Sequence, residues 1–139
     1  MTTLVTGGTG KTGSHVARLL HDAGYPLVVA SRKGVAAEPF KVAKFDYSDP
    51  TTFENPFIVD PNIDRLYLVT PDVEDQLGAV RTFIDFALTK GVKRIVYVGS
   101  SAPLECKLYS PVWKYITTLG VEYTILRPTW FIGMDYSTC

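Results

Sequence analysis

Near its amino terminus the chain reads Leu4-Val5-Thr6-Gly7-Gly8-Thr9-Gly10-Lys11-Thr12-Gly13. A short apolar run leads directly into two overlapping glycine patterns, which are Gly7, Gly10 and Gly13 at three-residue spacing and Gly8-x-Gly10-x-x-Gly13. A tight turn off a strand, the close approach of a phosphate to the backbone and the packing of a helix on a strand each favour glycine. With a strand before it and a helix after it, this stretch predicts a phosphate-binding loop, and the alternative is ordinary turn chemistry.

Short apolar runs alternate with helical patterns along the rest of the chain. The runs are continuous rather than alternating in polarity, which is typical of parallel strands covered on both faces. Predicted strands lie at residues 4–6, 27–30, 42–45, 66–69, 95–98 and 123–126, and predicted helices at 12–23, 74–90 and 110–119, with a short helical turn at 49–53. This order predicts right-handed crossovers and an α/β fold, a single domain on a doubly wound (Rossmann) parallel sheet of about six strands.

The composition limits the classes of function. The 139 residues are 46% hydrophobic, and 14 Lys and Arg balance 14 Asp and Glu, so the basic excess of a nucleic-acid binder is absent. No apolar run reaches the roughly 18 residues of a membrane span, and the first residues do not resemble a secretory leader. Two cysteines and two histidines show no metal-ligand spacing. We therefore expect a cytoplasmic protein that binds neither nucleic acid, membrane nor metal.

The end of the second predicted strand bears on which dinucleotide would bind. An NAD-preferring site places Asp or Glu there to hold the ribose 2′-hydroxyl, whereas this chain has Ser31, Arg32 and Lys33. An arginine can bind a 2′-phosphate in a bidentate fork, which a carboxylate would repel. The pattern favours NADP(H), and the alternative is that the two cations belong to a solvated loop. A separate prediction concerns the start of the first helix, where Thr12 and Ser14 are expected to act as caps.

Several motifs together resemble a known family. They are Thr6-Gly7-x-x-Gly10-x-x-Gly13, Ser31-Arg32, Phe45-Asp46, and Leu126-Arg127-Pro128-Thr129-Trp130-Phe131 preceded by Gly120-Val121-Glu122-Tyr123-Thr124. The chain resembles the NmrA-like atypical short-chain dehydrogenases, and within them the fungal ergot-alkaloid reductases of the festuclavine and agroclavine dehydrogenase type. The resemblance extends to about residue 132; its glycine motif is typical of the whole superfamily, and the Arg-Pro-Thr-Trp-Phe segment is more specific.

The resemblance implies an NADPH-dependent reduction of a cyclic iminium to an amine, with a small-molecule substrate. It also implies a set of cofactor contacts: Gly7, Gly10 and Gly13 at the pyrophosphate, Arg32 at the 2′-phosphate, Asp46 near the adenine, Val69, Thr70 and Pro71 near the adenosine and ribose, and Pro128 beside the nicotinamide. From their own places in the sequence we add Lys11 and Thr12 at the phosphates and Ser31 at the 2′-phosphate. Two alternatives stay open. Asp46 can instead begin an Asp46–Asp49 turn, and Trp130 and Phe131 can belong to the core rather than contact the substrate.

No catalytic acid is assigned. Ordinary short-chain dehydrogenases use a Tyr-x-x-x-Lys pair, because the developing alkoxide needs a proton. Here the residues four positions after Tyr97, Tyr109, Tyr115 and Tyr123 are Ser101, Trp113, Leu119 and Arg127. An iminium is already cationic and becomes a neutral amine by accepting hydride, so it needs no proton donor. Polar candidates near the nicotinamide are Ser100, Ser101, Tyr109 and Lys114. The alternative functions are a non-catalytic NADP-binding redox sensor and an inactive fragment.

The resemblance also concerns the carboxyl-terminal end. Relatives of this kind are about twice as long and continue after the sixth strand into a lobe that closes the substrate pocket. We expect a dinucleotide-binding domain over residues 1–132 and an unrelated tail at 133–139. Trp130, Phe131 and Ile132 would then be exposed, which predicts self-association, weak NADPH binding and slow turnover.

Overall fold

The computed structural model describes residues 1–36, 38–100 and 110–128, and these contain one sheet of six parallel strands. The strands are β1 (Thr2–Val5), β2 (Leu27–Ser31), β3 (Lys41–Lys44), β4 (Ile63–Val69), β5 (Arg94–Val98) and β6 (Glu122–Leu126). They lie in the order β3-β2-β1-β4-β5-β6. The chain therefore builds outward from β1 to β3, returns to the centre and builds outward again from β4. A crevice is expected at the carboxyl ends of β1 and β4, where this order reverses.

The helices cover both faces of the sheet. They are α1 (Lys11–Asp22), α2 (Asn55–Val59), α3 (Gln76–Thr89) and α4 (Ser110–Thr117), with a 3₁₀ turn at Pro50–Thr52. Alternate strand residues enter opposite cores: Val5 and Val29 pack with Ala17 of α1, while Leu4 and Val28 belong to the core that includes α3 and α4. Burial on both faces explains the continuous apolar runs and confirms the doubly wound fold predicted from them.

Two local predictions differ from the structure. The residue that precedes α1 is Gly10, and no side chain caps the helix, so the prediction that Thr12 and Ser14 cap it is wrong. Thr12 and Ser14 lie two and four positions after Gly10, inside the helix, so neither occupies the N-cap position. The second difference is α2, which was not predicted because five residues are too few to show a helical period. Its buried Phe57 holds it against the core.

An aromatic cluster supports the segment that follows β3. Phe45 lies edge-on to Phe83 of α3, with ring centroids 4.5 Å apart, and Phe53 lies 5.2 Å from the same ring. Tyr47 extends the cluster, with its ring centroid 4.9 Å from that of Phe45. All three phenylalanines are buried. Edge-to-face pairs of this kind add stability beyond the burial of their surface, so the cluster fixes residues 45–53 against α3.

Candidate functional site

A cavity of about 700 Å³ opens at the carboxyl ends of β1, β2 and β4. Its walls come from the glycine loop, the end of β2, the segments that follow β3 and β4, and the face of α3 that carries Gly78, Ala79 and Thr82. Eight predicted cofactor residues line it: Gly7, Gly10, Ser31, Arg32, Asp46, Val69, Thr70 and Pro71. The structure therefore brings together residues that lie far apart in the sequence, at the crevice where doubly wound sheets bind ligands.

The glycine loop forms one wall, and two of its glycines are required by geometry. Gly7 has a φ of +62°, in the left-handed region that other residues rarely adopt. A Cβ at Gly13 would lie 2.1 Å from the carbonyl oxygen of Gly7, so the loop and α1 can approach this closely only without a side chain. Lys11, Thr12 and Gly13 do not line the cavity, and the role of Gly13 here is to let the helix and loop pack.

The amino terminus of α1 suits an anion. The Gly10 N–H donates to the Gly7 carbonyl at 2.8 Å, and the first bond within the helix runs from the Ser14 N–H to the Gly10 carbonyl at 3.1 Å. The N–H groups of Lys11, Thr12 and Gly13 therefore precede the first intrahelical donor, and no side chain caps this end. Unpaired N–H groups and the positive end of the helix dipole together attract a phosphate. The residues present fit a dinucleotide.

Opposite charges meet at one end of the cavity. Ser31 is buried at the end of β2, the following Arg32 is exposed, and both contribute to the lining together with Asp46. The Asp46 carboxylate accepts from the Ser48 hydroxyl at 2.7 Å and from the Ser48 N–H at 2.9 Å. These two bonds, joined by the positive charge of Arg32, hold the pKa of Asp46 below its usual range although partial burial opposes them. An ionised carboxylate and a guanidinium therefore share this end.

The turn alternative for Asp46 is also present in the structure. The Asp49 N–H donates to the Asp46 carbonyl at 3.1 Å, and Asp49 caps the 3₁₀ turn that follows by accepting from the Thr51 N–H. Asp46 therefore begins a turn through its backbone and also contributes to the lining of the cavity. The turn is present, and an adenine contact of Asp46 stays a prediction.

The end of β4 forms the facing wall. The Val69 N–H donates to the Thr6 hydroxyl at 2.8 Å, which joins β1 to β4 beyond their last ladder bond. The hydroxyl of Thr70 donates to the side-chain oxygen of Gln76 at 2.8 Å, and Gln76 is buried in the first turn of α3. Hydrogen bonds to a β-strand and a helix thus hold Val69 and Thr70 in place.

Sequence reasoning did not identify Tyr47 as a site residue. Its hydroxyl donates to the Val69 carbonyl at 3.0 Å, and the residue contributes to the lining of the cavity. Burial raises the pKa of Tyr47 far above that of an exposed tyrosine, although a hydrogen bond with Thr6 opposes the shift. The only signal in the sequence was an aromatic residue directly after Asp46. That pattern carries no information about a partner 22 residues away.

Other predicted positions are not part of this cavity. Pro128 follows β6 and does not line it, and neither do Ser100 and Lys114. The Ser100 carbonyl accepts instead from the guanidinium of Arg127 at 3.2 Å. The remaining predictions lie outside the described residues; they concern Ser101, Tyr109, Thr129, Trp130, Phe131, Ile132 and the tail 133–139.

The described residues lack two further features. Across residues 1–36, 38–100 and 110–128, no helix has the length and apolar character needed to cross a bilayer. The same part of the chain contains no group of three His, Cys, Asp or Glu side chains placed to hold a metal ion.

Comparison with known proteins places these features in a family. The model of the NAD dependent epimerase/dehydratase family matches residues 3–106. Agroclavine dehydrogenase of Claviceps fusiformis is 38% identical over 143 aligned positions, which cover 99% of this chain and 49% of that protein. Festuclavine synthase I of Penicillium roqueforti is 40% identical, over 95% of this chain and 48% of that protein. The chain spans about half the length of the curated relatives it matches.

Solved structures share the fold. The triphenylmethane reductase of a Citrobacter species, complexed with NADP(H), superimposes with a TM-score of 0.78 at 22% identity, over 95% of this chain and 50% of that one. The UDP-glucose 4-epimerase of Thermus thermophilus, complexed with NAD, gives a TM-score of 0.73 at 18% identity, over 91% and 54%. These likenesses confirm the Rossmann architecture, and the sequence matches confirm the predicted family resemblance.

Proposed function

The chain belongs to the NAD-dependent epimerase/dehydratase family, and from that premise we propose that it binds NADP(H) in the 700 Å³ cavity and acts as an oxidoreductase. The observation that carries the proposal is the convergence of three features in one cavity. They are a glycine loop running into an uncapped helix, an arginine at the end of β2, and the absence of a carboxylate at that strand end. The first binds a pyrophosphate, and the other two favour a 2′-phosphate.

The charges suit the adenosine half of NADP(H). Arg32 and Ser31 offer a guanidinium and a hydroxyl to a 2′-phosphate, while Asp46 lies at the same end with its carboxylate ionised. A carboxylate accepts hydrogen bonds but does not donate them, so it suits an exocyclic amino group rather than a phosphate. We therefore assign Arg32 to the phosphate and Asp46 to the base. Arg32 would also screen the 2′-phosphate from the carboxylate.

The reaction proposed is the reduction of a cyclic iminium of the ergoline type. Relatives named agroclavine dehydrogenase and festuclavine synthase support this class of substrate. Bound NADPH supplies the hydride. The chain lacks a Tyr-x-x-x-Lys pair, and a cationic iminium needs no proton donor to accept hydride. The residues of this chain then contribute by binding and orienting the dinucleotide at the crevice.

Dinucleotide selectivity tests the cofactor assignment. Fluorescence titration of the wild-type chain should give a dissociation constant for NADPH at least about tenfold below that for NADH, because a bidentate charged contact is worth more than a neutral one. Arg32→Asp should narrow or reverse this ratio. Arg18→Asp makes the same charge change on the exposed face of α1, outside the cavity, and should leave the ratio unchanged. Equal constants for the two dinucleotides in the wild type would overturn the assignment.

Turnover tests the reaction. NADPH absorbance is followed on addition of a cyclic ergoline iminium, with and without the protein. Protein-dependent consumption of NADPH supports an iminium reductase. Tight binding without consumption would instead favour the NADP-binding redox sensor, which the missing Tyr-x-x-x-Lys pair suits equally well.

A further inference from the structure

The hydroxyl of Tyr47 joins two walls of the cavity that the sheet does not join. We propose that Tyr47 is a positioning residue for the dinucleotide, and that its bond to the Val69 carbonyl holds the segment after β3 and the segment after β4 at the separation binding requires. This inference rests on the proposed function, because it takes NADP(H) to be the ligand of the cavity.

The sheet topology explains why such a bond is needed. β2 and β1 lie between β3 and β4, so the two strand ends are separated by three strand spacings, about 14 Å. Neighbouring strands hold each other through their ladders, but no ladder joins β3 to β4. Asp46 follows one of these strands, and Val69 ends the other. The ladders set their relative position only through the two strands between them, so side-chain contacts across the crevice are the direct link.

Val69 is held from three directions. Its N–H donates to the Thr6 hydroxyl at 2.8 Å and its carbonyl accepts from the Tyr47 hydroxyl at 3.0 Å. A Cβ built on Gly7 would lie 3.1 Å from the Cβ of Val69, so the glycine loop rests directly on this residue. Tyr47 supplies the contact from the segment after β3. Without it, that segment has no polar tie to this residue.

The hydroxyl and the ring of Tyr47 have separable roles. The ring packs edge-on against Phe45 and Phe83, with centroids 4.9 Å and 5.9 Å away. Tyr47→Phe keeps this packing and removes only the hydrogen bonds of the hydroxyl, to the Val69 carbonyl and to Thr6. The raised pKa of Tyr47 also means that its hydroxyl remains a neutral donor throughout the ordinary pH range. The variant is therefore expected to fold and to lose only the hydrogen bonding of the Tyr47 hydroxyl.

Loss of this hydrogen bond should weaken binding, because a smaller fraction of molecules would hold the two walls at the separation that binding requires. If the two walls separate part of the time, the apparent dissociation constant rises by the reciprocal of the competent fraction. One ordinary hydrogen bond corresponds to a change of about three- to tenfold. Because the tie affects both walls rather than the 2′-phosphate contact, NADPH and NADH should weaken by the same factor. That shared factor distinguishes Tyr47 from Arg32.

The experiment titrates NADPH and NADH into the wild type, Tyr47→Phe and a matched control. Tyr115→Phe removes another tyrosine hydroxyl bond, to Asp85 on the surface of α3 and α4, outside the cavity lining. We expect Tyr47→Phe to raise both dissociation constants about three- to tenfold with their ratio unchanged, the range for loss of one hydrogen bond. Tyr115→Phe should change neither constant. Thermal unfolding of each variant checks that it is folded at the temperature of the titration.

The outcomes separate this inference from the proposed function. If the wild type binds neither dinucleotide, the proposed function fails. If the wild type binds and Tyr47→Phe binds equally well, or Tyr115→Phe loses as much, the inference is overturned and the function stands. If Tyr47→Phe does not fold, amide exchange of the wild type decides. NADPH should then protect residues 46–48 and 69–73 together, and protection of only one segment overturns the inference.

Discussion

Gly13→Ala tests the packing of the glycine loop on the first helix. The added Cβ would lie 2.1 Å from the Gly7 carbonyl oxygen and 3.0 Å from the Cα of Gly8. Ordinary contact begins near 3.4 Å, so the loop and α1 must separate by about 1.3 Å. Both atoms met by the new methyl belong to the backbone, and no flexible side chain can move aside. The separation therefore displaces Gly7, whose carbonyl also accepts from Gly10.

The magnitude follows from two opposing effects. Overpacking of this kind costs about 1–3 kcal/mol, and replacing glycine within a helix returns up to about 1 kcal/mol. We expect a net loss of about 1–2 kcal/mol, which lowers the melting temperature by roughly 3–10 °C for a chain of this size. Binding should suffer more than stability. Displacing N–H groups from a charged phosphate forfeits bonds of about 1.5–3 kcal/mol each, so NADPH affinity should fall at least about tenfold.

The assay measures the NADPH dissociation constant and the melting temperature of Gly13→Ala beside those of Gly24→Ala. Gly24 follows the other end of α1 with a φ of +79°, and nothing lies within 4 Å of its Cβ position. Its substitution costs about 1–2 kcal/mol of backbone strain without touching the loop. If Gly13→Ala weakens NADPH no more than Gly24→Ala does, the loop geometry is not what binds the phosphates, and the reasoning is refuted.

Two further predictions concern stability. Asp60 is buried and accepts from the Asn62 N–H at 2.9 Å and the Thr2 hydroxyl at 3.1 Å; burial raises its pKa, but these bonds and Lys41 outweigh it and hold the pKa low. A depressed carboxylate pKa stabilises the fold above its unfolded value of about 3.9 and loses that contribution below it. In urea unfolding, the free energy of unfolding of Asp60→Asn should therefore be furthest below that of the wild type at neutral pH. The difference between the two should shrink as the pH falls below about 4, and a difference that grows there would contradict the prediction. Phe83→Ala removes the central ring of the aromatic cluster and should lower the free energy of unfolding by about 3–5 kcal/mol, measured in urea. A loss under about 1 kcal/mol would show that the cluster does not support residues 45–53.

Much of the candidate site was predictable because its residues follow strand ends. Ser31, Arg32 and Val69 could be placed once the strands were recognised, since the carboxyl ends of parallel strands meet at one edge of the sheet. Pro128 follows a strand in the same way, yet it does not line the cavity, because β6 is separated from β4 by β5. A position at the end of a strand predicts at which edge of the sheet a residue lies, but not how far along that edge it lies from the cavity.

The sequence predicted the glycine loop, but it did not predict the role of each glycine in it. The spacing of Gly7, Gly10 and Gly13 predicted a loop between a strand and a helix, and the positive φ of Gly7 agrees with it. The spacing could not tell a glycine that lines the cavity from one that lets two backbones approach. Gly13 is of the second kind. Gly8 instead makes room for a side chain, since a Cβ there would lie 2.5 Å from a methyl group of Val29 in β2.

By itself the sequence determined the order of strands and helices, the glycine loop and the absence of an acid at the end of β2, because each depends on residues that are neighbours along the chain. The tertiary structure alone decided which walls enclose the cavity. The bond from Tyr47 to Val69 and the contact of Phe45 with Phe83 join segments 22 and 38 positions apart. Such contacts exist only after the sheet has set its strand order, since no local periodicity encodes the distance between two strands that never pair.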